Sequence, residues 1–411
     1  MEAGHFQKFQ YHQPAGPLGR HIAGFGELIE KQGYPRSTAN RKIRLVIDLD
    51  QWLKRRKIEL TDYDENWAAV FLDYRSERGS CCRGDPTTLR VFLSHLREAG
   101  VIPYPAANIN QSPQDRATNG FALHLVTERA LKPVTSNIYL FEVRRFLSHR
   151  FGTGSILLDK LSAQDLSRFM LCRARTVSPR GLRLTASALR SFLRFAYQRG
   201  DIPLDLAHSV PPVANWRFSG VPKFLAPEQI EELLRTCDRG SSVGQRDFAI
   251  LLLLARLGLR AGEVVHMRLD DIDWDSGELL VRGKGSREDR LPIPRDVGKA
   301  LATYIRHGRP RCSSRHIFLR SKAPCRGLAN SVCICNVVRK ALGRAGLDPS
   351  FKGSHLLRHS LATRMLRGGA TLAEIGTILR HRLPNTTEIY SKVNLSALRG
   401  LAQPWPGGGY E

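Results

Sequence analysis

Apolar positions recur at helical spacing along most of the chain. Residues 1–21 are rich in Gln, His, Gly and Pro, show no period, and predict a flexible arm. From about Ile22 the pattern turns helical. Ser37 or Thr38 is placed to cap a helix that carries Ile43, Val46, Ile47, Trp52 and Leu53 on one face, with Arg41, Lys42 and Arg44 on the other. A further helix carries Leu89, Phe92, Leu93 and Leu96 and ends at Gly100.

The pattern then repeats. Leu89-Arg90-Val91-Phe92-Leu93 returns as Leu189-Arg190-Ser191-Phe192-Leu193. At the same offset, Gly100-Val101-Ile102-Pro103 returns as Gly200-Asp201-Ile202-Pro203. A shared helix-Gly-x-Ile-Pro ending at one offset predicts two related helical domains, 22–105 and 117–210. A Pro- and Asn-containing linker, 106–116, joins them, and a second linker with Pro211-Pro212 spans 211–222. Beyond it Pro227 suits a first helical turn. Phe248–Ala255 is the longest apolar run, far short of the roughly 20 residues a membrane span needs. Glu278–Val281 and Arg290–Ile293 read as strands, with Gly283-Lys284-Gly285 at a hairpin tip between them. Helices resume afterwards, so 223–400 predicts a mixed, mainly helical domain with a small sheet, followed by a tail at 401–411.

Composition adds a partner. The 411 residues carry a formal net charge of +25, and 42% are hydrophobic, enough for real cores. An excess that large favours a polyanion, and nucleic acid is the commonest one. The eight cysteines form no CxxC pair and complete no zinc spacing, which points to free thiols and no structural metal. No apolar signal core or membrane span is legible, so a cytoplasmic, nucleoid-associated protein is expected.

Candidate chemistry lies toward the end. Tyr390 follows Leu379-Arg380-His381-Arg382 by a few residues, and His355-Leu356-Leu357-Arg358-His359 lies upstream. Tyrosine, with a free pKa of about 10, is a useful nucleophile only beside a base and anion-binding cations. His355 and Arg358 share a helical face at spacing three, and His359, one step on, is expected to point elsewhere. Arg260 and Glu263, also three apart, read as one helical face. Asn385-Thr386-Thr387 reads as the capped start of a helix bearing Tyr390. Taken singly, each has an ordinary explanation: a surface ion pair, a turn lysine, a half-buried interface tyrosine.

Taken together, the order Arg260, Lys284, His355-x-x-Arg358, His381, Tyr390 resembles the tyrosine recombinase (phage integrase-like) family. The matching text is Gly-Leu-Arg-Ala-Gly-Glu, Gly-Lys-Gly-Ser-Arg-Glu-Asp-Arg, His-Leu-Leu-Arg-His-Ser-Leu-Ala-Thr, and Leu-Arg-His-Arg through Thr-Thr-Glu-Ile-Tyr-Ser-Lys-Val. The ending looks most like integrases of mobile elements, which act in DNA integration or transposition. The resemblance implies two SAM-like helical DNA-binding domains followed by an α+β catalytic domain with a small antiparallel sheet. It also implies a site-specific recombinase that forms a 3′-phosphotyrosine link without metal or other cofactor. In that scheme Arg260 and Arg358 hold the scissile phosphate and Tyr390 attacks it. His355 accepts or steers the tyrosine proton, Lys284 protonates the departing 5′-oxygen, His381 donates to the phosphate, and Glu263 supports the pocket. The implied partner is double-stranded DNA, held by a homo- or hetero-tetramer, with sister recombinases as candidate partners. Arg144, Arg145, Arg190 and Arg194 are candidate phosphate contacts in the helical domain. The family often has Asp where Leu356 stands and Gly where Arg380 stands, and Arg380 is a candidate extra phosphate contact. Two other readings share these features: a type IB-like topoisomerase, and a non-catalytic DNA-binding relic of a mobile element.

Overall fold

The computed structural model describes residues 16–104, 112–214, 222–283 and 288–393. Most of the predicted arm, parts of both linkers, the hairpin tip with Lys284, and the tail lie outside the described residues. The chain divides into two compact units, one of Met1–Tyr104 with Gly220–Glu411, the other Pro105–Ser219.

Helix α1 (Gly19–Lys31) begins earlier than the pattern predicts. Leu18 is fully buried, and its N–H donates to Asp50 Oδ1 at 2.6 Å, so folded structure reaches into the expected arm. Helix α2 (Arg36–Arg56) also starts early. Pro35, with φ fixed at −56°, is its N-cap, so Ser37 and Thr38 lie inside the first turn rather than capping it. Helices α3 (Glu65–Glu77) and α4 (Asp85–Glu98) complete the first set around a core that includes Val46, Leu53, Phe71, Phe92 and Leu96.

The second set has the same order. Helices α5 (Pro113–Thr127) and α6 (Pro133–Phe151) precede a short 3-10 turn, then α7 (Ala163–Ala174) and α8 (Pro179–Gln198). A 3-10 turn occupies the same place in the first set, between α2 and α3. The two copies of the Gly-x-Ile-Pro ending fold alike. Gly100 and Gly200 have φ of 69° and 75°. The N–H of Val101 reaches back to Leu96 O, and that of Asp201 to Ala196 O, both at 2.9 Å. This is the Schellman closure, which needs a left-handed residue and therefore favours glycine. Ile102 and Ile202, buried just beyond, seal the two cores.

The remainder is built on α10 (Ser242–Arg256), whose residues Ala249 to Ala255 are all buried, which accounts for the apolar run. Around it lie α9 (Pro227–Arg235), α11 (Ala261–His266), α12 (Arg295–Thr303), α13 (Ser331–Arg344), α14 (His355–Arg367) and α15 (Leu372–Ile378). The three-stranded antiparallel sheet has β1 (Ile272–Asp273) beside β2 (Glu278–Arg282) beside β3 (Glu288–Pro292). Pairing runs from Glu278↔Pro292 to Arg282↔Glu288, so β2 and β3 converge on the Lys284 segment as the pattern predicts. All eight cysteines are free thiols.

The core of the second helical set predicts its own weak point. Phe192 is fully buried, with its ring 5.3 Å from that of Phe121. Phe192→Ala should cost that unit about 3–5 kcal/mol. Hydrogen exchange should then accelerate across α5–α8 while α10 keeps its protection.

Candidate active site

The site grows from one glycine. Gly258 has φ of 58°, and a Cβ there would sit 2.7 Å from Leu379 and 3.0 Å from Leu361. Only glycine tolerates both the conformation and the approach. The turn after α15 and the flank of α14 therefore close onto the end of α10. Across this contact Arg358, 3% exposed, donates to the carbonyls of Gly258 and Leu379. Burial, then Arg260 and Arg380, lower its pKa to about 10, which leaves it charged at neutral pH.

Two residues on, Arg260 is the N-cap of α11, with extended backbone (φ −77°, ψ 147°). The expected shared helical face is thus corrected: Arg260 precedes the helix, and Glu263 folds back onto it. The Glu263 carboxylate accepts from the Arg260 backbone N–H at 2.8 Å and from Arg260 Nη1 at 2.7 Å. It also accepts from Arg380 Nη2 at 2.7 Å. Burial alone would raise the Glu263 pKa. Arg380 and the two Arg260 donors outweigh it and hold the carboxyl below its usual range.

Arg380 is therefore not a free surface cation. Its side chain is 7% exposed, and its Nε also lies 3.9 Å from Asp289 on β3. Its φ is 55°, a conformation glycine adopts without strain. That is a physical reason for glycine at this place in the resembling family. Here the backbone strain is offset by the ion pair to Glu263, and the Arg380 carbonyl accepts from Arg260 Nη2 at 3.0 Å.

Tyr390 lies in a 3-10 segment, Glu388–Val393, and not in the expected α-helix. Thr387 does not cap it through its side chain. Its Oγ1 instead lies 2.7 Å from His381 Nδ1, and its carbonyl accepts the Tyr390 N–H. Tyr390 is 1% exposed and packs against Leu361, Ala362, Ile375 and Leu379. The His381 ring lies parallel to it, 6.4 Å between centroids and 2° off plane. The imidazole bonded to the Tyr390 hydroxyl is that of His359, with Nδ1 to Oη at 2.9 Å. The expectation that His359 points elsewhere is overturned. Positions i and i+4 are helical neighbours as much as i and i+3, so His355 and His359 share a face. His355 itself is exposed, its ring 6.2 Å from that of His359.

Burial pushes the Tyr390 pKa up to about 12, partly countered by Arg358. Burial, then the positive neighbours, lower His359 and His381 to about 4, so both rings are neutral at physiological pH. A cleft of about 830 Å³ opens beside them, lined in part by Arg260, Gly283, Arg380, His381 and Thr387. Tyr390 does not line it. Gly283, the residue before Lys284, does.

The other candidate cations lie in the second helical set. Arg144 pairs with Asp115 at 2.9 Å, and Arg145 covers the Phe141 ring at 4.7 Å. Arg190 Nη2 donates to the carbonyls of Val210 and Pro211, which ties part of its guanidinium to the chain. Arg194 is exposed.

Arg380 gives a clean comparison. Arg380→Ala keeps the strained φ and leaves Glu263 short of a cation, whereas Arg380→Gly loses only the cation. The Ala variant should be the less stable by about 1 kcal/mol in urea unfolding, and equal midpoints would refute the strain. A second expectation concerns pH. The unfolded chain binds protons at His359 and His381 near the ordinary value of 6.5, and the folded chain only near 4. Their stabilising contribution is complete above pH 6.5 and is lost as pH falls toward 4. Urea midpoints should fall across that window, and less steeply in a His359→Asn/His381→Asn double variant.

Residues 223–396 match the phage integrase family, and residues 118–200 match the phage integrase N-terminal SAM-like domain. A Sinorhizobium fredii protein assigned by name to the integrases/recombinases, y4rA, is 42% identical over 395 residues, covering 96% of each chain. Tyrosine recombinase XerD of Mycobacterium tuberculosis is 32% identical over 306 residues, covering 70% of this chain and 95% of XerD. Among solved structures, XerH bound to a palindromic difH substrate aligns with a TM-score of 0.56 at 17% identity, covering 82% of this chain and 94% of XerH. A lambda integrase dimer bound to a COC′ core site aligns at 0.53 and 16%, covering 72% and 99%. These two share the fold. The chain belongs to the phage integrase family of tyrosine recombinases and is a site-specific recombinase with a SAM-like helical domain ahead of its catalytic domain.

Proposed function

We propose that this recombinase cuts and rejoins double-stranded DNA through a 3′-phosphotyrosine link on Tyr390. The observation that carries this reading is a surplus of positive charge at the cleft. Arg260 and Arg380 bond to the buried Glu263, Arg358 lies buried beside them, and Arg382 also lines the cleft; with Asp289, 3.9 Å from Arg380, and Glu388 counted, four guanidinium groups meet three carboxylates. A scissile phosphate entering the cleft offsets that surplus.

Arg260 lines the cleft with its side chain 36% exposed, against 7% for Arg380, and Glu263 aims it. Arg358 adds charge from behind. His381, held at Nδ1 by Thr387, donates from its other nitrogen to a non-bridging oxygen. Lys284, in the segment that follows Gly283, protonates the departing 5′-oxygen. Donors of this kind are worth about 10²–10³-fold each. The phosphodiester's free energy stays in the tyrosine link, so a 5′-hydroxyl of a partner strand reverses the step with no external energy source. Two such exchanges, through a Holliday junction in a tetramer, complete recombination. XerH is bound to a difH substrate and lambda integrase to a COC′ core site.

Residues 112–214 carry 15 Lys and Arg against 7 Asp and Glu, a net +8, whereas residues 16–104 carry 15 against 12, a net +3. The stronger phosphate-seeking surface belongs to the second helical domain, with Arg194, Arg144 and Arg145 as contacts that position without reading sequence. The first helical domain, of the same build, is assigned to protomer or accessory contacts.

The test uses duplexes selected by binding from a random-sequence pool, then nicked to trap a cleaved product. The wild-type protein should form an adduct that survives denaturing electrophoresis, and Tyr390→Phe should form none. Arg260→Lys should keep DNA binding in gel shifts and lose about 10²–10³-fold in cleavage. An adduct in the Tyr390→Phe protein, or none in the wild type, would sink the reading. Relaxation of supercoiled plasmid by monomers without site preference would favour a topoisomerase.

A further inference from the structure

The proton on Tyr390 needs a destination. With its pKa pushed up to about 12, the hydroxyl is protonated at any physiological pH and is a weak nucleophile. It is also sealed from bulk water, since Tyr390 is 1% exposed and its ring is held in a small core of α14 and α15 residues. Solvent is therefore not the acceptor in this resting arrangement, in which Tyr390 does not line the cleft either. A general base must lie within about 2.6–3.2 Å of the proton it takes.

The geometry points to His359: we propose that the Tyr390 O–H donates to His359 Nδ1, 2.9 Å away, and that His359 aims the hydroxyl and takes its proton as the nucleophile attacks the DNA phosphate. This rests on the reading of Tyr390 as nucleophile. The role belongs to His359 in place of His355, which the family resemblance nominates. Three observations support it. His359 meets the Tyr390 ring edge-on, with centroids 5.6 Å apart and planes at 61°, so the ring's orientation is set by packing as well as by the bond. Its ring is half-buried, against an exposed His355. It is also neutral in the resting state, so a nitrogen lone pair is available for the bond. The charged and titratable neighbours facing it are His355 and Arg358 on its own helix, with His381 and Tyr390 from the segments packed against α14.

The step balances. The Tyr390 O–H bond breaks and its proton moves to His359 Nδ1. The Oη–P bond forms and the P–O5′ bond breaks, and the 5′-oxygen takes a proton from Lys284. In the return step the incoming 5′-hydroxyl gives its proton to Lys284 and bonds to phosphorus. The Oη–P bond then breaks, and Oη recovers its proton from His359. The imidazolium formed in between sits beside the attacked phosphate, whose negative charge favours it.

The experiment is single-turnover cleavage of the nicked duplex between pH 6.5 and 9.5, with gel-shift binding and thermal melting of each variant as controls. His359→Asn keeps a hydrogen-bond acceptor near the hydroxyl but cannot carry a proton at these pH values. Its cleavage should fall about 10²–10⁴-fold at pH 7 and then rise tenfold per pH unit as hydroxide replaces the base, while the wild-type rate stays nearly flat. His359→Ala should recover partially with added imidazole. A misfolded or merely loosened site would show neither the unit slope nor the rescue. A wild-type rate and pH profile in His359→Asn would overturn the proposal, as would the unit slope appearing in His355→Gln instead. The wild-type adduct and its loss in Tyr390→Phe are read in the same gels, so failure of the functional reading is seen separately.

Discussion

Three arginines crowd around one buried carboxylate, two of them bonded to it, and the rest of the catalytic domain is arranged to make that tolerable. Guanidinium groups taken out of water must be hydrogen-bonded. Arg358 meets the requirement through the carbonyls of Gly258 and Leu379, Arg260 through Glu263 and the Arg380 carbonyl, and Arg380 through Glu263. These bonds join two stretches of chain 100 residues or more apart, the end of α10 with the start of α11, and α14 with the turn after α15. The positive charge left over is what an incoming phosphate would find. The same bonds therefore hold the fold together and prepare the anion site, so a substitution here changes stability and chemistry together.

Arg380 illustrates how a local penalty is carried by a distant partner. Its left-handed backbone is unfavourable for any residue with a Cβ, yet the ion pair to Glu263 and the bond from Arg260 to its carbonyl keep it in place. The proximity of Asp289 brings the β-hairpin into the same network, since β3 leads back to the Lys284 segment. A cation where glycine would fit more easily thus trades backbone ease for an extra electrostatic connection between the sheet and the tyrosine side of the cleft.

The helical domains show a different economy. Two sets of four helices, each with a 3-10 turn in the middle and a glycine closure at the end, are built from sequences that share little beyond the apolar frame and the Gly-x-Ile-Pro ending. Burial of that frame dictates the fold, while the solvent-facing positions are free to diverge. They have diverged in charge, which separates a strongly basic surface from a nearly balanced one on the same scaffold.

The order of the candidate residues, the Gly-x-Ile-Pro repeat, the buried helix α10 and the β2–β3 hairpin were all legible in the sequence, because period, spacing and turn residues are local properties. Helix starts were less so: Pro35 and the buried Leu18 moved two boundaries by a few residues. The partners of the candidate residues were not legible at all. Nothing local says that His359 meets the Tyr390 hydroxyl, that Arg380 turns inward to Glu263, or that Arg190 is bound to Val210 and Pro211. Such pairings depend on how helices separated by tens to a hundred residues dock. The sequence by itself determined which chemical groups are available to the proposed phosphate site. Only the tertiary structure decided which of them touch, because burial and close approach at Gly258 select the partners, and through them the charge state of each group.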